Sequence, residues 1–500
     1  MYKQFYFPLL FVLSVCILSW LYDYPTELTL RPNSFHQWRQ CDGAQIAMNY
    51  YNVSMNFFEP RLNLCTGNDG KMISELPIIY YAAACLYKVF GPHEYFIRLL
   101  SISIFFLGLF YLFKAITLLL NNRFYALLLS LIPFASPITS DYAFSFLPDV
   151  PALSFTFIAY YFLIKFFYTE NTSAIKWSTA FFTLAGLLKV TSLIGFSAIG
   201  VILSAYFIFD RNNKWIAYKK HFLVFLVIPT VITGLWIAYA KYYNFSNHNI
   251  YFNLSIQPIW DTDEQLQHDV WVRFDRQWLR MSLYRDFIHS LPFLVLLSFL
   301  IPKTKAKPIL FWLSTSLLGG AMYFFLFFCM FLHHDYYLIC LMFIPVAVLT
   351  IFILCLKEWK EIIFNSWVTK TTLLTLITVM LYHGIRINRE RSNGIKTAKF
   401  NEYWNIEPEL AKLGIKENDK IISIGDETSG VSLYFMNRRG WTEMLKHTPL
   451  KKSFIDTCVL NGAKYMLVYK NYEADIDSAA HNSYTKHLIG EPNGIKVYKL

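Results

Sequence analysis

Four charged residues sit where charge is costly: Asp42 in RPNSFHQWRQCDGAQIAMNYY, Glu75 in SELPIIYY, Asp149 in SDYAFSFLPDVPAL and Lys189 in GLLKVTSL. Each borders or interrupts strongly apolar sequence, where an ionised group must cap a helix, find a partner or work on a ligand. A carboxylate can take a proton from a hydroxyl, several together can hold a divalent cation, and an ammonium can meet phosphate oxygens. Ordinary explanations compete. Asp42 heads a stretch in which Ile46, Asn49 and Tyr50 recur at helical spacing, so it reads as an N-cap at or near a helix start. Asp149 stands two residues before Pro151 and an apolar run, again a helix-start position. Lys189 either snorkels to an interface or meets a phosphate.

Other polar residues cluster near these four. Trp38 and Arg39 flank Asp42, and FLHHDYYL places His333, His334, Asp335 and Tyr336 in a polar knot between two apolar runs. Adjacent histidines can ligate a metal, although interfacial hydrogen bonding explains them as well. Glu75 and Asp149 are the carboxylates from which a cation site could be built. Arg61, Arg98, Arg273 and Arg276 are candidates for gripping phosphate, with surface solvation as the alternative.

The elements that must position these residues follow from composition. Of 500 residues, 55% are hydrophobic and 16% charged, with a mean hydropathy of +0.35, which excludes a soluble enzyme and a disordered scaffold. The net charge of +11 then orients loops at a membrane rather than binding nucleic acid. Apolar runs predict about 11 spans. They fall at 5–22, which lacks a cleavage site, and at 98–120, 124–140, 150–168, 177–189, 191–209, 221–241, 287–301, 308–331, 336–356 and 367–385. The segment from Leu76 to Gly91 is too short to cross and is expected to lie along the interface, within a first outer loop at 23–97. That choice places Arg123, Lys176, Lys214, Lys219, Lys220, Lys303, Lys305, Lys307, Lys357 and Lys360 inside, as the positive-inside rule asks, and the four charged residues outside.

Residues 1–385 therefore read as a transmembrane module and 386–500 as a small soluble α/β domain on the outer face. Its strands are predicted at KIISIG, SLYFMN, AKYMLVY and IKVYKL. Of 8 cysteines, Cys16, Cys85, Cys329, Cys340 and Cys355 lie in apolar runs, and Cys41, Cys65 and Cys458 show no metal spacing. A Cys41–Cys65 bridge stays open. Asn-x-Ser sequons occur at Asn52, Asn171, Asn244 and Asn253, of which this topology puts Asn171 inside.

HQWRQCDGAQIAMNYY, NFFEPRLN, SELPIIYYAAACLYKVFGPHEYFIRLLSI, FLPDVPAL, GLLKVTSLI, HHDYYL, NRRGWT and GAKYMLV, in that order, resemble the GT-C glycosyltransferases of family 39. These include the protein O-mannosyltransferases and the lipid A aminoarabinose transferase, and the likeness is greatest to bacterial multi-spanning members of unknown acceptor. Cys41 stands where that family usually has alanine, and a Glu-Lys-Pro of the lipid A enzyme reads Glu75, Leu76, Pro77 here. The resemblance implies a GT-C membrane fold and sugar transfer from a polyprenyl-phosphate donor to a lipid, glycan or protein acceptor. It implies that Asp42 is the catalytic acidic residue, that Asp149 matches the second-loop aspartate, and that Lys189 faces the carrier phosphate; Arg61 and Arg98 are the arginines read as helping it. It also implies a bacterial inner membrane with the active face in the periplasm. No nucleotide fingerprint appears, no cofactor is required, and a divalent cation remains an option. The C-terminal domain is expected to cover or select the acceptor. A lipid or solute transporter is the main alternative, and an adhesion protein a third. Transporters build repeated halves around midplane sites, whereas here the ionisable groups gather at one face.

Overall fold

The computed structural model describes residues 6–33, 35–210, 214–249, 251–252, 256–302, 306–395, 400–444, 451–470, 472 and 476–500, with the side chains of 392–395 left aside. Lys3, Lys303, Lys305 and the Asn253 sequon lie outside the described residues. By contacts the chain divides into two compact units. One comprises Met1–Leu28, Arg98–Ala238 and Leu254–Glu390, and the other Thr29–Ile97, Tyr239–Asn253 and Arg391–Leu500. A division at residue 385 differs from this one, because the first outer loop groups with the C-terminal segment.

The first unit is helical, as a backbone in hydrocarbon must be. Among the described residues, 7 helices are long and apolar enough to cross a membrane, or up to 9 if each of two bent pairs is one span. Every predicted span coincides with a helix, but not every span is straight or full length. Tyr6–Leu21 has 16 residues and Thr172–Leu188 has 17. The 124–140 run bends by 78° between Arg123–Ala135 and Pro137–Ala143, because Pro137 cannot donate to the preceding turn and Ser136 caps a new helix at Thr139 N. The 287–301 run is the second arm of a 91° bend after Glu264–Ser282, where Leu283 is fully extended. Small residues let helices close up. A Cβ on Gly108 would meet Cβ of Ser154 at 2.6 Å, so Tyr95–Leu120 can pack against the helix headed by Asp149 only with glycine there.

The second unit carries a five-stranded sheet in the order β2-β1-β3-β5-β4: β1 Lys420–Ile424, β2 Gly440–Thr442, β3 Ala463–Tyr469, β4 Leu488–Gly490 and β5 Ile495–Lys499. β1 pairs parallel with β2 and β3, and β5 runs antiparallel beside β3 and β4. Three of the four predicted strands are present. The fourth, SLYFMN, is instead part of a short helix, Val431–Phe435. Its five residues are all buried, which removes the alternation a strand would show. Asp426 fixes the first turn by accepting from Ser432 N at 2.8 Å and from the Ser432 hydroxyl. The Cys41 and Cys65 thiols are free and buried.

The first loop joins this sheet. Gly440 N donates to Asn63 O at 3.0 Å, and Cys65 N donates to Gly440 O at 2.6 Å. A side chain at 440 has no room, since its Cβ would fall 1.8 Å from Ile421 O. Gly440→Ala is therefore expected to destabilise the second unit by at least about 3 kcal/mol, read as a lowered melting temperature and faster proteolysis of residues 400–500.

Candidate functional site

In the second unit the helix Gln37–Asn52 begins after His36, so Asp42 is its sixth residue and not its cap. The N-cap explanation fails. Asp42 is 0% exposed. Its Oδ1 accepts from the Ser429 hydroxyl, its Oδ2 accepts from the Tyr251 hydroxyl at 2.9 Å, and Arg39 Nη1 lies 3.8 Å from Oδ2. Arg39 is itself aimed by Glu75, donating through Nη2 to both carboxylate oxygens at 2.9 and 2.8 Å. Its guanidinium also lies 5.6 Å from the Phe252 ring centre, while neighbouring Trp38 is half-buried. Burial pushes the Asp42 carboxyl up to about 6, against the pull of Arg39 and the two hydroxyls.

Gln45 and Asn49 continue the buried polar face of that helix. Gln45 Oε1 accepts from Asn63 N at 2.8 Å and its Nε2 donates to Gly430 O at 3.2 Å, while Asn49 Nδ2 donates to Asn63 Oδ1 at 2.8 Å. Sequence reasoning missed Gln45, Tyr251 and Ser429. The spacing 42, 45, 49 marks the first of them as sharing a helix face. For the other two, 209 and 387 positions away from Asp42, no local signal exists. Arg61 is committed elsewhere, to Asp69 at 2.7 Å and Glu59 at 3.3 Å.

In the first unit Asp149 is the first residue of the helix Asp149–Thr169, whose N-cap position is taken by Pro148. Its Oδ1 lies 3.1 Å from Lys189 Nζ. Lys189 breaks the chain between Thr172–Leu188 and the turn Val190–Leu193, with extended backbone at φ −158° and ψ 107°. Its ammonium sits over the rings of Tyr336 and Tyr337, 5.4 and 5.1 Å from their centres. Lys189 thus does not simply snorkel: a carboxylate and two aromatic faces hold it. Asp335 is fully buried and accepts from the Tyr142 hydroxyl at 2.8 Å, and His334 stacks on Tyr337 with ring centres 5.6 Å apart. His333, 6.5 Å from the His334 ring, belongs to the same turn. Arg98 is buried under the Phe146 and Phe144 rings at 4.7 and 5.8 Å, beside the loop that ends at Asp149.

The donor set does not fit a divalent cation. Glu75 faces Arg39 and Asp149 faces Lys189, and among the described residues no three His, Cys, Asp or Glu side chains converge as a metal site. No step below runs through a metal.

Residues 74–237 match the family described as dolichyl-phosphate-mannose-protein mannosyltransferase. Over the whole chain the fold is similar to ArnT from Cupriavidus metallidurans. In the apo state the two share 13% identity and a TM-score of 0.62, and bound to undecaprenyl phosphate 14% and 0.63, each with 98% of this chain and 97% of that one covered. It is also similar to the archaeal oligosaccharyltransferase AglB from Archaeoglobus fulgidus, in complex with an inhibitory peptide and a dolichol-phosphate. There the identity is 9% and the TM-score 0.54, covering 94% of this chain and 70% of that one. No curated protein matches the chain in sequence.

The raised Asp42 carboxyl has a consequence for stability. The folded chain holds that proton up to about pH 6, whereas the unfolded chain releases it near the ordinary carboxylate value of 3.8. The stability this proton linkage contributes is therefore full below about pH 4 and lost as pH rises through 6. Asp42→Asn removes the loss but leaves Ser429 or Tyr251 without an acceptor. It should melt no higher than wild type at pH 4 and higher at pH 8, by about 1 to 3 kcal/mol in stability, measured by thermal unfolding in detergent.

Proposed function

We propose that this chain, a membrane-embedded glycosyltransferase of the GT-C superfamily, moves a sugar from a polyprenyl-phosphate-linked donor to the hydroxyl of a lipid, glycan or protein acceptor. Undecaprenyl phosphate in ArnT and dolichol-phosphate in AglB support the donor class, because both lie in proteins of this fold. An apolar bundle also suits a carrier whose isoprenoid stays in lipid. The observation that carries the reading is Asp42: a fully buried carboxylate in mid-helix, its oxygens held by two hydroxyls, with a proton affinity near neutrality. Such a group is suited to general-base work. A transporter is not favoured, since the family match and the neighbours named above are all transferases.

In this reaction Asp42, ionised above about pH 6, takes the proton of the acceptor hydroxyl as that oxygen attacks the anomeric carbon. The bond from carbon to the carrier phosphate oxygen breaks on the opposite face, so the configuration inverts. Polyprenyl phosphate leaves as a monoester with one more negative charge. A cation is needed to meet that charge, and Lys189, paired with Asp149, is the candidate that the first unit offers. Arg39, aimed by Glu75, keeps the base ionised despite burial. The parity of the predicted spans, which puts the basic loops inside, supports an active face on the periplasmic side of a bacterial inner membrane.

Purified protein given a panel of radiolabelled polyprenyl-phosphate sugars should release one label to an acceptor. Asp42→Asn should lower turnover by about 10² to 10⁴, and a variant keeping more than about half its activity would reject the base assignment. Lys189→Gln should raise donor KM about 10-fold or more, without moving the rise of the wild-type rate through pH 6.

A further inference from the structure

We infer that the soluble C-terminal segment completes the base: Ser429, with Tyr251, is a positioning residue that orients the Asp42 carboxylate for proton transfer. This inference rests on Asp42 being the base.

The loop 425–430, between β1 and the helix Val431–Phe435, is fixed by bonds that do not use Ser429. Asp426, fully buried, accepts from Thr428 N at 2.9 Å, the Thr428 hydroxyl at 2.5 Å, Ser432 N at 2.8 Å and the Ser432 hydroxyl at 2.5 Å. Thr428 Oγ1 accepts in turn from Val431 N at 3.0 Å, and the Thr442 hydroxyl donates to Thr428 O at 2.6 Å. Glu443 closes the base of the loop, accepting from Gly425 N at 2.6 Å and donating its own N–H to Asp426 O at 2.9 Å. One further bond ties the loop to the helix that carries the base, from Gln45 Nε2 to Gly430 O at 3.2 Å.

On that rigid frame the Ser429 hydroxyl, itself fully buried, is delivered to Oδ1 of Asp42, while Tyr251 is delivered to Oδ2. Two donors on the two oxygens fix the rotation of the carboxylate plane. The two hydroxyls take one lone-pair site on each oxygen, which leaves acceptor capacity for an incoming hydroxyl. A serine that only filled space would need no such brace behind it.

The electrostatic setting agrees. Asp42 faces Arg39 and, beyond it, Glu75 from the first loop, Tyr251, and Cys41 on its own helix. Burial drives both the Cys41 thiol and the Tyr251 phenol upward, away from neutrality. Both hydroxyls and Arg39 pull the Asp42 carboxyl down, against burial. Removing either hydroxyl should then move the base to a higher pH.

The test uses the full chain and the labelled donor that wild type accepts, with kcat and KM measured from pH 5 to 9. Ser429→Ala and Tyr251→Phe should each lower kcat and move its rising limb upward by about 1 to 2 pH units, as loss of a hydrogen bond to a charged group implies. Donor KM should not change. Ser429→Thr, which keeps the hydroxyl, should restore the limb. Tyr251→Phe leaves loop 425–430 untouched and carries the test should Ser429→Ala misfold. If Asp42→Asn is inactive while both folded hydroxyl variants keep the wild-type limb and kcat, this inference falls and the base assignment stands. An active Asp42→Asn would overturn both together.

Discussion

A carboxylate buried in the middle of a helix is the constraint around which the second unit is organised. Placing an ionisable group out of water costs several kcal/mol unless partners surround it, and a mid-helix position offers no free backbone N–H to help. The partners of Asp42 must therefore come from elsewhere: Arg39 one turn earlier on the same helix, Tyr251 from a middle segment and Ser429 from the C-terminal one. Each partner needs support of its own. Glu75 aims the guanidinium and the Asp426–Thr428–Ser432 network stiffens the serine loop.

The first unit handles charge differently. Lys189 and Asp149 form a direct ion pair, and Tyr336 and Tyr337 offer the ammonium their ring faces. Such an arrangement offsets the cost of desolvating the ammonium with one carboxylate and two ring faces. Asp42, by contrast, has few degrees of freedom left, because a hydroxyl is fixed on each of its oxygens.

Much of this was legible in the sequence. The predicted spans fall on helices, because long apolar runs admit few alternatives, although among the described residues only 7, or up to 9 with the bent pairs, are long and apolar enough to cross a membrane. Asp42, Asp149 and Lys189 stood out because charge inside apolar sequence needs a reason. Errors came where local pattern and tertiary context diverge. Asp42 resembled a cap because the apolar spacing starts after it, yet the helix begins five residues earlier on polar residues buried by tertiary contacts, among them Gln40. SLYFMN has strand-forming composition but folds as a helix because Asp426 secures its first turn. Ser429 and Tyr251 were invisible, since contacts spanning hundreds of residues leave no trace in local spacing.

The pairing of Asn63 and Cys65 with Gly440 bears on biosynthesis. A chain emerging from the ribosome makes its first loop early and its last strands late, so that loop must wait, partly unfinished, until nearly the whole polypeptide has been inserted. A truncated product would reach the membrane with its bundle assembled and its acidic centre unbraced.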